Sequence, residues 1–213
     1  MVEVYVADIS SLSDPKESPE VMSDLWQKRK ERILQYKHEK NRKQSLGAGL
    51  LLSHVLKKYG ADLETLRYGE NGKPETDGIC FNLSHSEDLV ICAVSAQPVG
   101  CDIEKISDMK KNIAERFFTI NEVKYLDQFD EEEKRNEFFR LWTMKESYLK
   151  MTGEGMSLPL NMVEFVFGES VNVYREGTLC NCNIKEYEFP GYKLTVCAED
   201  DKFAENAQYL ELI

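Results

Sequence analysis

Two acids set one residue apart in an otherwise apolar, β-branched run leave few ways to fold. In Val99-Gly100-Cys101-Asp102-Ile103-Glu104 the neighbours demand an extended strand, and on a strand Asp102 and Glu104 project from the same face. Further on, LWTMKESYLK (Leu141 to Lys150) spaces Trp142, Glu146 and Lys150 by four. A helix stacks these on one side, with Glu146 between an aromatic ring and an ammonium. Each stretch alone has a plain reading, as a solvent-facing edge strand and as a solvated charged helix. Brought together they are costly: two carboxylates about 4 Å apart repel by roughly 4 kcal/mol at an effective dielectric near 20. A cluster of three acids therefore needs a cation. A hard divalent ion such as Mg2+, which takes oxygen ligands and keeps positions for water or phosphate, suits it.

At 213 residues the chain can bury a substantial core in one large domain or two small ones. Its 42% hydrophobic and 31% charged content exclude a disordered chain, and no apolar run approaches the ~20 residues that span a bilayer. MVEVYVADIS lacks a basic n-region and reads as a strand rather than a signal peptide, so a cytoplasmic protein is expected. The six cysteines at 80, 92, 101, 180, 182 and 197 form no CxxC pair, and several lie in apolar strand patterns. They read as buried free thiols, against a zinc site or a disulfide framework. A formal net charge of −11 argues against general nucleic-acid binding.

Along the chain, Val2, Val4 and Val6 alternate in an opening strand. Ser18 and Pro19 then open a helix through Leu25, Trp26, Arg29, Ile33 and Tyr36, with basic residues gathered from Lys28 to Lys43. A second helix runs from about Asn41 to Tyr59 and stops at Gly60; its Gly47 and Gly49 imply close packing. Asn71-Gly72 marks a turn between extended segments. Strands follow at Ile79 to Ser84 and Leu89 to Ala96. Thr119-x-x-Glu122 is a capping box, a longer helix spans about Glu131 to Met151, and the remaining chain is mostly strands.

The two acid-bearing stretches, taken with Ser84-His85-Ser86 and Gly72-Lys73-Pro74 upstream, closely resemble the 4'-phosphopantetheinyl transferases of the Sfp type. That pattern is G-x-D-x-E followed about forty residues later by W-x-x-K-E-[SA]-x-x-K. It is matched at every fixed position, with Cys101 beside the first Asp, and the likeness runs from about residue 70 to 162 through GKPE, NLSHS and GEGMSLPL.

The resemblance implies an α+β fold of two similar α/β lobes related by a pseudo-two-fold, each with a small, mainly antiparallel sheet and packed helices. Residues 1–98 would bind the adenosine and phosphates of coenzyme A. Residues 99–213 would carry the Mg2+ site and the catalytic helix. The implied reaction moves 4'-phosphopantetheine from coenzyme A to a serine of an acyl or peptidyl carrier protein and releases adenosine 3',5'-bisphosphate. Asp102, Glu104 and Glu146 would hold Mg2+, with Mn2+ as the alternative ion, and Ile103 would leave a position to water. Lys150 would meet the phosphates. Glu146 would serve as the base, with a metal-bound hydroxide as its rival.

Coenzyme A would be held by Arg29, Arg32, Ser45, Lys73, Pro74, Ser84, His85 and Lys150. Relatives carry an arginine near the start of the second helix where this chain has Gln44 and Ser45, with Arg42 or Lys43 as substitutes. The class implies a monomer, with neither nucleic acid nor membrane as a partner. Met109 to Phe118 is the candidate carrier-docking segment, offering Lys110, Lys111 and Arg116 for charge and Met109, Ile113 and Phe117 as anchors. Equally it reads as an amphipathic helix packed on the core. Two alternatives stand beside the transferase: another Mg2+-dependent pyrophosphate-cleaving enzyme, and a non-enzymatic coenzyme A-binding or regulatory protein. The second predicts decay of the acids or of Lys150, yet all are present.

Overall fold

The structure is a computed structural model that describes residues 1–61, 63–69, 74–109 and 112–212. In chain order its elements are β1 (Glu3–Asp8), α1 (Gln27–Gln35), α2 (Glu39–Lys58), β2 (Arg67–Tyr68), β3 (Pro74–Glu75), β4 (Cys80–Ser86), β5 (Leu89–Ser95) and β6 (Val99–Lys105). There follow α3 (Ile113–Phe117), α4 (Ile120–Leu126), α5 (Glu131–Thr152), β7 (Val163–Phe167), β8 (Val171–Arg175), β9 (Thr178–Leu179), β10 (Asn183–Phe189), β11 (Tyr192–Ala198) and β12 (Gln208–Tyr209).

Two small sheets lie back to back between two long helices. The first has the order β12-β1-β5-β4 and the second β10-β11-β6; smaller β7-β8-β9 and β2-β3 sheets complete a mixed α+β fold. Between these strands pairing is antiparallel, save that β12 runs parallel to β1 with Tyr5 opposite Gln208, where Val2 also bridges to Phe203 in parallel. The strand periodicity explains the layering. Val2, Val4 and Val6 of the opening segment face Val99, Cys101, Ile103, Leu194 and Val196 of the second sheet. Tyr5 and Ala7 face α2. The opening strand therefore has two apolar faces because it is covered on both sides.

α2 lies across β1, β4 and β5, while α5 lies across β6 and β11. Leu46, Leu51, Leu52 and Leu56 of α2 are fully buried, each contributing about 1.5–3 kcal/mol. The glycines of α2 do mark close packing, since a Cβ on Gly47 would come within 2.3 Å of Ile9 Cγ2. α5 starts at Asp130, whose carboxylate accepts from the N–H groups of Glu132 and Glu133 at 3.0 Å, and stops at Gly153, a left-handed residue.

The helix expected to begin at Pro19 is broken. Pro19–Met22 is a single 3-10 turn, and α1 starts only after Trp26, which is extended. Met22, Leu25 and Trp26 are all buried, and the Trp26 indole donates to the Tyr68 hydroxyl at 3.1 Å. All six cysteines are free thiols, with Cys92, Cys101 and Cys197 buried and Cys80, Cys180 and Cys182 half-buried. Among the described residues no helix is long and apolar enough to cross a membrane.

Candidate active site

The site is built where the sheet ladder gives way to side chains. β4 and β6 lie alongside one another in separate sheets. Asn82 Oδ1 accepts from the Cys101 N–H at 3.0 Å, Ser86 Oγ accepts from the Lys105 N–H at 3.1 Å, and Ser84 Oγ lies 3.5 Å from the Ile103 nitrogen. The alternation of NLSHS sends Asn82, Ser84 and Ser86 toward β6 and leaves Leu83 and His85 on the α2 side. The two serines spend their protons on the acids. Ser84 Oγ donates to Asp102 Oδ1 at 2.7 Å, and Ser86 Oγ donates to Glu104 Oε2 at 2.8 Å.

Helix α5 closes on β6 over Gly100. A Cβ at that position would stand 2.1 Å from the Ser147 carbonyl oxygen and 2.3 Å from the Met151 nitrogen, so the missing side chain lets helix backbone rest on strand. Lys150 thereby reaches the strand's acids. Its Nζ donates to Asp102 Oδ1 at 2.5 Å and to Ser84 Oγ at 2.9 Å.

Positive charge is short in this cluster. Burial first, then the Asp102 carboxylate, pushes Glu104 up to about 7, with Glu146 adding to the repulsion and Ser86 and Lys150 opposing it. Glu146 is raised by burial and by Asp102, against the pull of Lys150. The Lys150 ammonium is held above its ordinary value because its acid neighbours, Asp102 foremost, outweigh the burial that opposes its charge. Asp102 Oδ2 is buried and finds no hydrogen-bond partner among the described residues, which is costly for a carboxylate oxygen. As they stand, no three such side chains among the described residues close into a metal cage. The central cation is Lys150. A bare buried oxygen beside two carboxyls raised by burial and repulsion is nevertheless a donor set that a hard, oxygen-seeking cation fits.

On the α2 side of β4 lies a cavity of about 310 Å³ lined by Arg29, Arg32, Gln44, Ser45, Pro74 and His85, among others. Arg29 is buried, and its Nε and Nη2 donate to the Ser45 carbonyl at 3.0 and 2.7 Å. Gly49 leaves room for it, since a Cβ there would lie 3.2 Å from Arg29 Cγ and Nε. Burial and the neighbouring Arg32 bring the Arg29 guanidinium down to about 10, still charged at neutral pH. Arg32 is exposed three residues on. His85, at the open rim, is held below its ordinary value by desolvation in the cleft and then by the charges of Lys150 and Arg29. An anion in the cavity would relieve all three bases.

The structure thus brings Asp102, Glu104, Glu146, Lys150 and Ser84 together, and separately Arg29, Arg32, Ser45, Pro74 and His85. Ser84 belongs to the acid cluster and His85 to the cavity, although they are sequence neighbours. Lys73, Lys110 and Lys111 lie outside the described residues, as does the Asn71-Gly72 turn. Neither substitute for the expected arginine lines the cavity. Arg42 is buried in an ion pair with Asp14, and Lys43 donates to the Ser10 carbonyl at 3.2 Å. Gln44 lines the cavity and donates to the Glu87 carbonyl at 3.0 Å. In the docking candidate, Met109, Ile113 and Phe117 pack against the core beside α5, and Arg116 stays exposed. Trp142 is likewise structural, its ring 5.6 Å from Phe117 and 6.0 Å from Phe138.

Sequence reasoning missed Lys145. It points away from Glu146, is fully buried, and pairs with Glu122 at 2.8 Å while donating to the carbonyls of Leu160 and Val163. Glu122 also accepts from the Thr119 N–H at 2.8 Å and the Phe165 N–H at 3.0 Å. The capping box was a visible signal for Glu122; its partner left none. Asn82, Ser86 and Gly100 were likewise unassigned, although the alternation of NLSHS against Asp102 and Glu104 hinted at the first two.

Comparison with known proteins places these features in context. The sequence profile of the 4'-phosphopantetheinyl transferase superfamily matches residues 98–197. The chain is 35% identical to 4'-phosphopantetheinyl transferase Sfp of Bacillus subtilis (strain 168), over 93% of this chain and 94% of that one. It is 33% identical to 4'-phosphopantetheinyl transferase gsp of Aneurinibacillus migulanus, over 93% and 86% of the two chains. The solved holo-[acyl-carrier-protein] synthase of Thermotoga maritima aligns with a TM-score of 0.39 at 15% identity, covering 47% of this chain and 61% of that one.

Proposed function

This chain belongs to the 4'-phosphopantetheinyl transferase superfamily, and from that premise we propose how its own residues carry out the transfer. The protein is a transferase that moves the 4'-phosphopantetheinyl group of coenzyme A to a serine hydroxyl of a carrier protein, releasing adenosine 3',5'-bisphosphate. One observation carries the assignment of roles: Asp102, Glu104, Glu146 and Lys150 converge on one side of β4, and a basic cavity opens on the other. A substrate that pairs a nucleotide with a pyrophosphate needs both. The −11 net charge is then no obstacle, because positive charge is concentrated where the anions go.

Arg29, Arg32 and His85 receive the phosphates of coenzyme A, with Ser45 and Pro74 as walls and Lys73 joining them on sequence grounds. Lys150, freed in part from Asp102, gives its ammonium to the pyrophosphate. Asp102, Glu104 and Glu146 would hold Mg2+, or Mn2+ in its place; when bound, such an ion neutralises charge on the pyrophosphate and the leaving phosphate. Glu146, raised above an ordinary glutamate, takes the proton of the carrier serine as that oxygen attacks phosphorus. Ser84 and Ser86 hold Asp102 and Glu104 in place. In this reading residues 1–98 bind the nucleotide and residues 99–213 supply the acids within one cytoplasmic monomer. The segment at β12 reaches back to β1 and ties the second part to the first.

Intact mass spectrometry tests the reading. Apo carriers of the fatty-acid and peptidyl types are incubated with coenzyme A, Mg2+ and either this protein or Glu146→Gln. A gain of about 340 Da on the carrier, lost in the variant and with chelator, is expected. Tight coenzyme A binding by folded protein with no gain on either carrier would favour the non-enzymatic reading instead.

A further inference from the structure

Behind α5, on the side away from β4, sulfur atoms gather. Cys197 of β11 is fully buried, with Sγ 3.5 Å from Met151 Sδ, and Cys180 and Cys182 pack against the apolar cluster to which it belongs. Cys180 Sγ lies 3.3 Å from the Tyr148 hydroxyl. Cys182 stands in the irregular segment just ahead of β10, where the ladder pairs Asn183 with Ala198 and Ile184 with Cys197. It therefore sits at the open end of the ladder, diagonal to Cys197 and within side-chain reach. The two differ in access: Cys182 is half-buried and Cys197 is closed to solvent. Their thiols also differ in character. The neighbouring Cys197 thiol holds Cys182 below an ordinary thiol, and burial raises Cys197.

We propose that Cys182 and Cys197 are a reversible dithiol–disulfide pair, with Cys182 the attacking and Cys197 the resolving thiol, oxidised by a low-molecular-weight disulfide. The Cys182 thiolate attacks one sulfur of the reagent, forming a mixed disulfide and expelling one thiolate. The Cys197 sulfur then attacks Cys182 Sγ and expels the second. Two electrons pass from the cysteine sulfurs to the reagent's S–S bond, and the two cysteine protons end on the two released thiols. A disulfide requires sulfurs about 2.05 Å apart, and the irregular chain before β10 supplies the movement. The pair lies under the catalytic helix: Cys197 is directly opposite Gly100 in the ladder and touches Met151, the residue after Lys150.

The test uses the full chain, reduced, freed of reductant and incubated with glutathione disulfide. Non-reducing intact mass and fragmentation between residues 180 and 182 are the readouts. The expected result is a loss of about 2 Da, one hydrogen each from Cys182 and Cys197, and reversal by dithiothreitol. Cys197→Ser should trap glutathione on Cys182, and Cys180→Ser should leave the 2 Da loss intact. Cys182→Ser should abolish both the loss and the adduct, and this half-buried site decides the matter if Cys197→Ser does not fold. A bond that includes Cys180, a glutathione adduct that persists in the unsubstituted protein, or no mass change in folded protein would overturn the pairing.

Discussion

Replacing Gly100 by alanine adds one methyl group at the point where α5 touches β6. The new carbon would stand 2.1 Å from the Ser147 carbonyl oxygen, 2.3 Å from the Met151 nitrogen and 2.8 Å from the Lys150 carbonyl carbon. Such atoms rest about 3.5 Å or more apart. All three are backbone, so no rotamer relieves the clash, and α5 must lift by about 1 Å or more. Overpacking of this kind costs about 1–3 kcal/mol, which in a chain of this size lowers Tm by about 3–10 °C. The lift also carries Glu146 and Lys150 away from Asp102, and a displacement of about 1 Å at reacting groups is worth about 100-fold in rate. The expected outcome for Gly100→Ala is therefore a fall of about 100-fold in kcat for carrier modification, measured well below the lowered Tm. KM for coenzyme A should change less than kcat, because Arg29 and Arg32, on the far side of β4, keep their places while Lys150 is displaced. Gly168→Ala is the control, since its new carbon would meet the Ser170 oxygen at an ordinary 3.6 Å. A Gly100→Ala protein with unchanged kcat and Tm would show that the helix does not bear on the strand in this way.

Glu122→Gln should cost about 3–5 kcal/mol in urea unfolding, because it strands the fully buried Lys145 ammonium; replacing both partners with apolar residues should recover much of the loss. Arg32→Ala should raise KM for coenzyme A about tenfold, the worth of a charge-assisted hydrogen bond, while Tm holds, since Arg32 is exposed. The Arg42 guanidinium holds Asp14 down to about 2, from an ordinary 3.8. A depressed acid stabilises the fold fully above its unfolded value and loses that contribution as pH falls toward the folded one, so melting curves should drop between pH about 4 and 2, and Asp14→Asn should flatten that limb. Mg2+ at about 100 times its Kd should stabilise the protein by about 2.7 kcal/mol, seen as a higher Tm, and Glu146→Gln should remove most of the rise.

Periodicity made the acid site legible. Asp102 and Glu104 share a face and Glu146 and Lys150 share another, and the structure joins the two faces through Lys150. Alternation divides the Ser84-His85 pair: Ser84 faces Asp102 and Lys150, while His85 lines the cavity on the α2 side of β4. Lys145 was illegible for a similar reason. It neighbours Glu146 in the chain yet lies a quarter-turn away on the helix, and its partner Glu122 is contributed by α4. Helix extent was overread at Pro19: Met22, Leu25 and Trp26 keep the i, i+3, i+4 spacing of one helix face, so the pattern reads as continuous, yet the chain makes a single 3-10 turn and starts α1 only after an extended Trp26. Arg42 looked like a ligand by charge alone; only the fold reveals that Asp14 already holds it.

Most of the bonding between neighbouring strands is indifferent to sequence, because any residue but proline brings the same amide and carbonyl. The contact between β4 and β6 is different, since the side chains of Asn82, Ser84 and Ser86 reach across to the backbone of β6. Drift at these positions cannot be silent. A Ser84→Ala change would remove at one stroke a tie between the strands, a donor to Asp102 and an acceptor for Lys150. The chain has in effect written part of its architecture in the same letters as its chemistry, so a variant that loses one should be found to have lost the other.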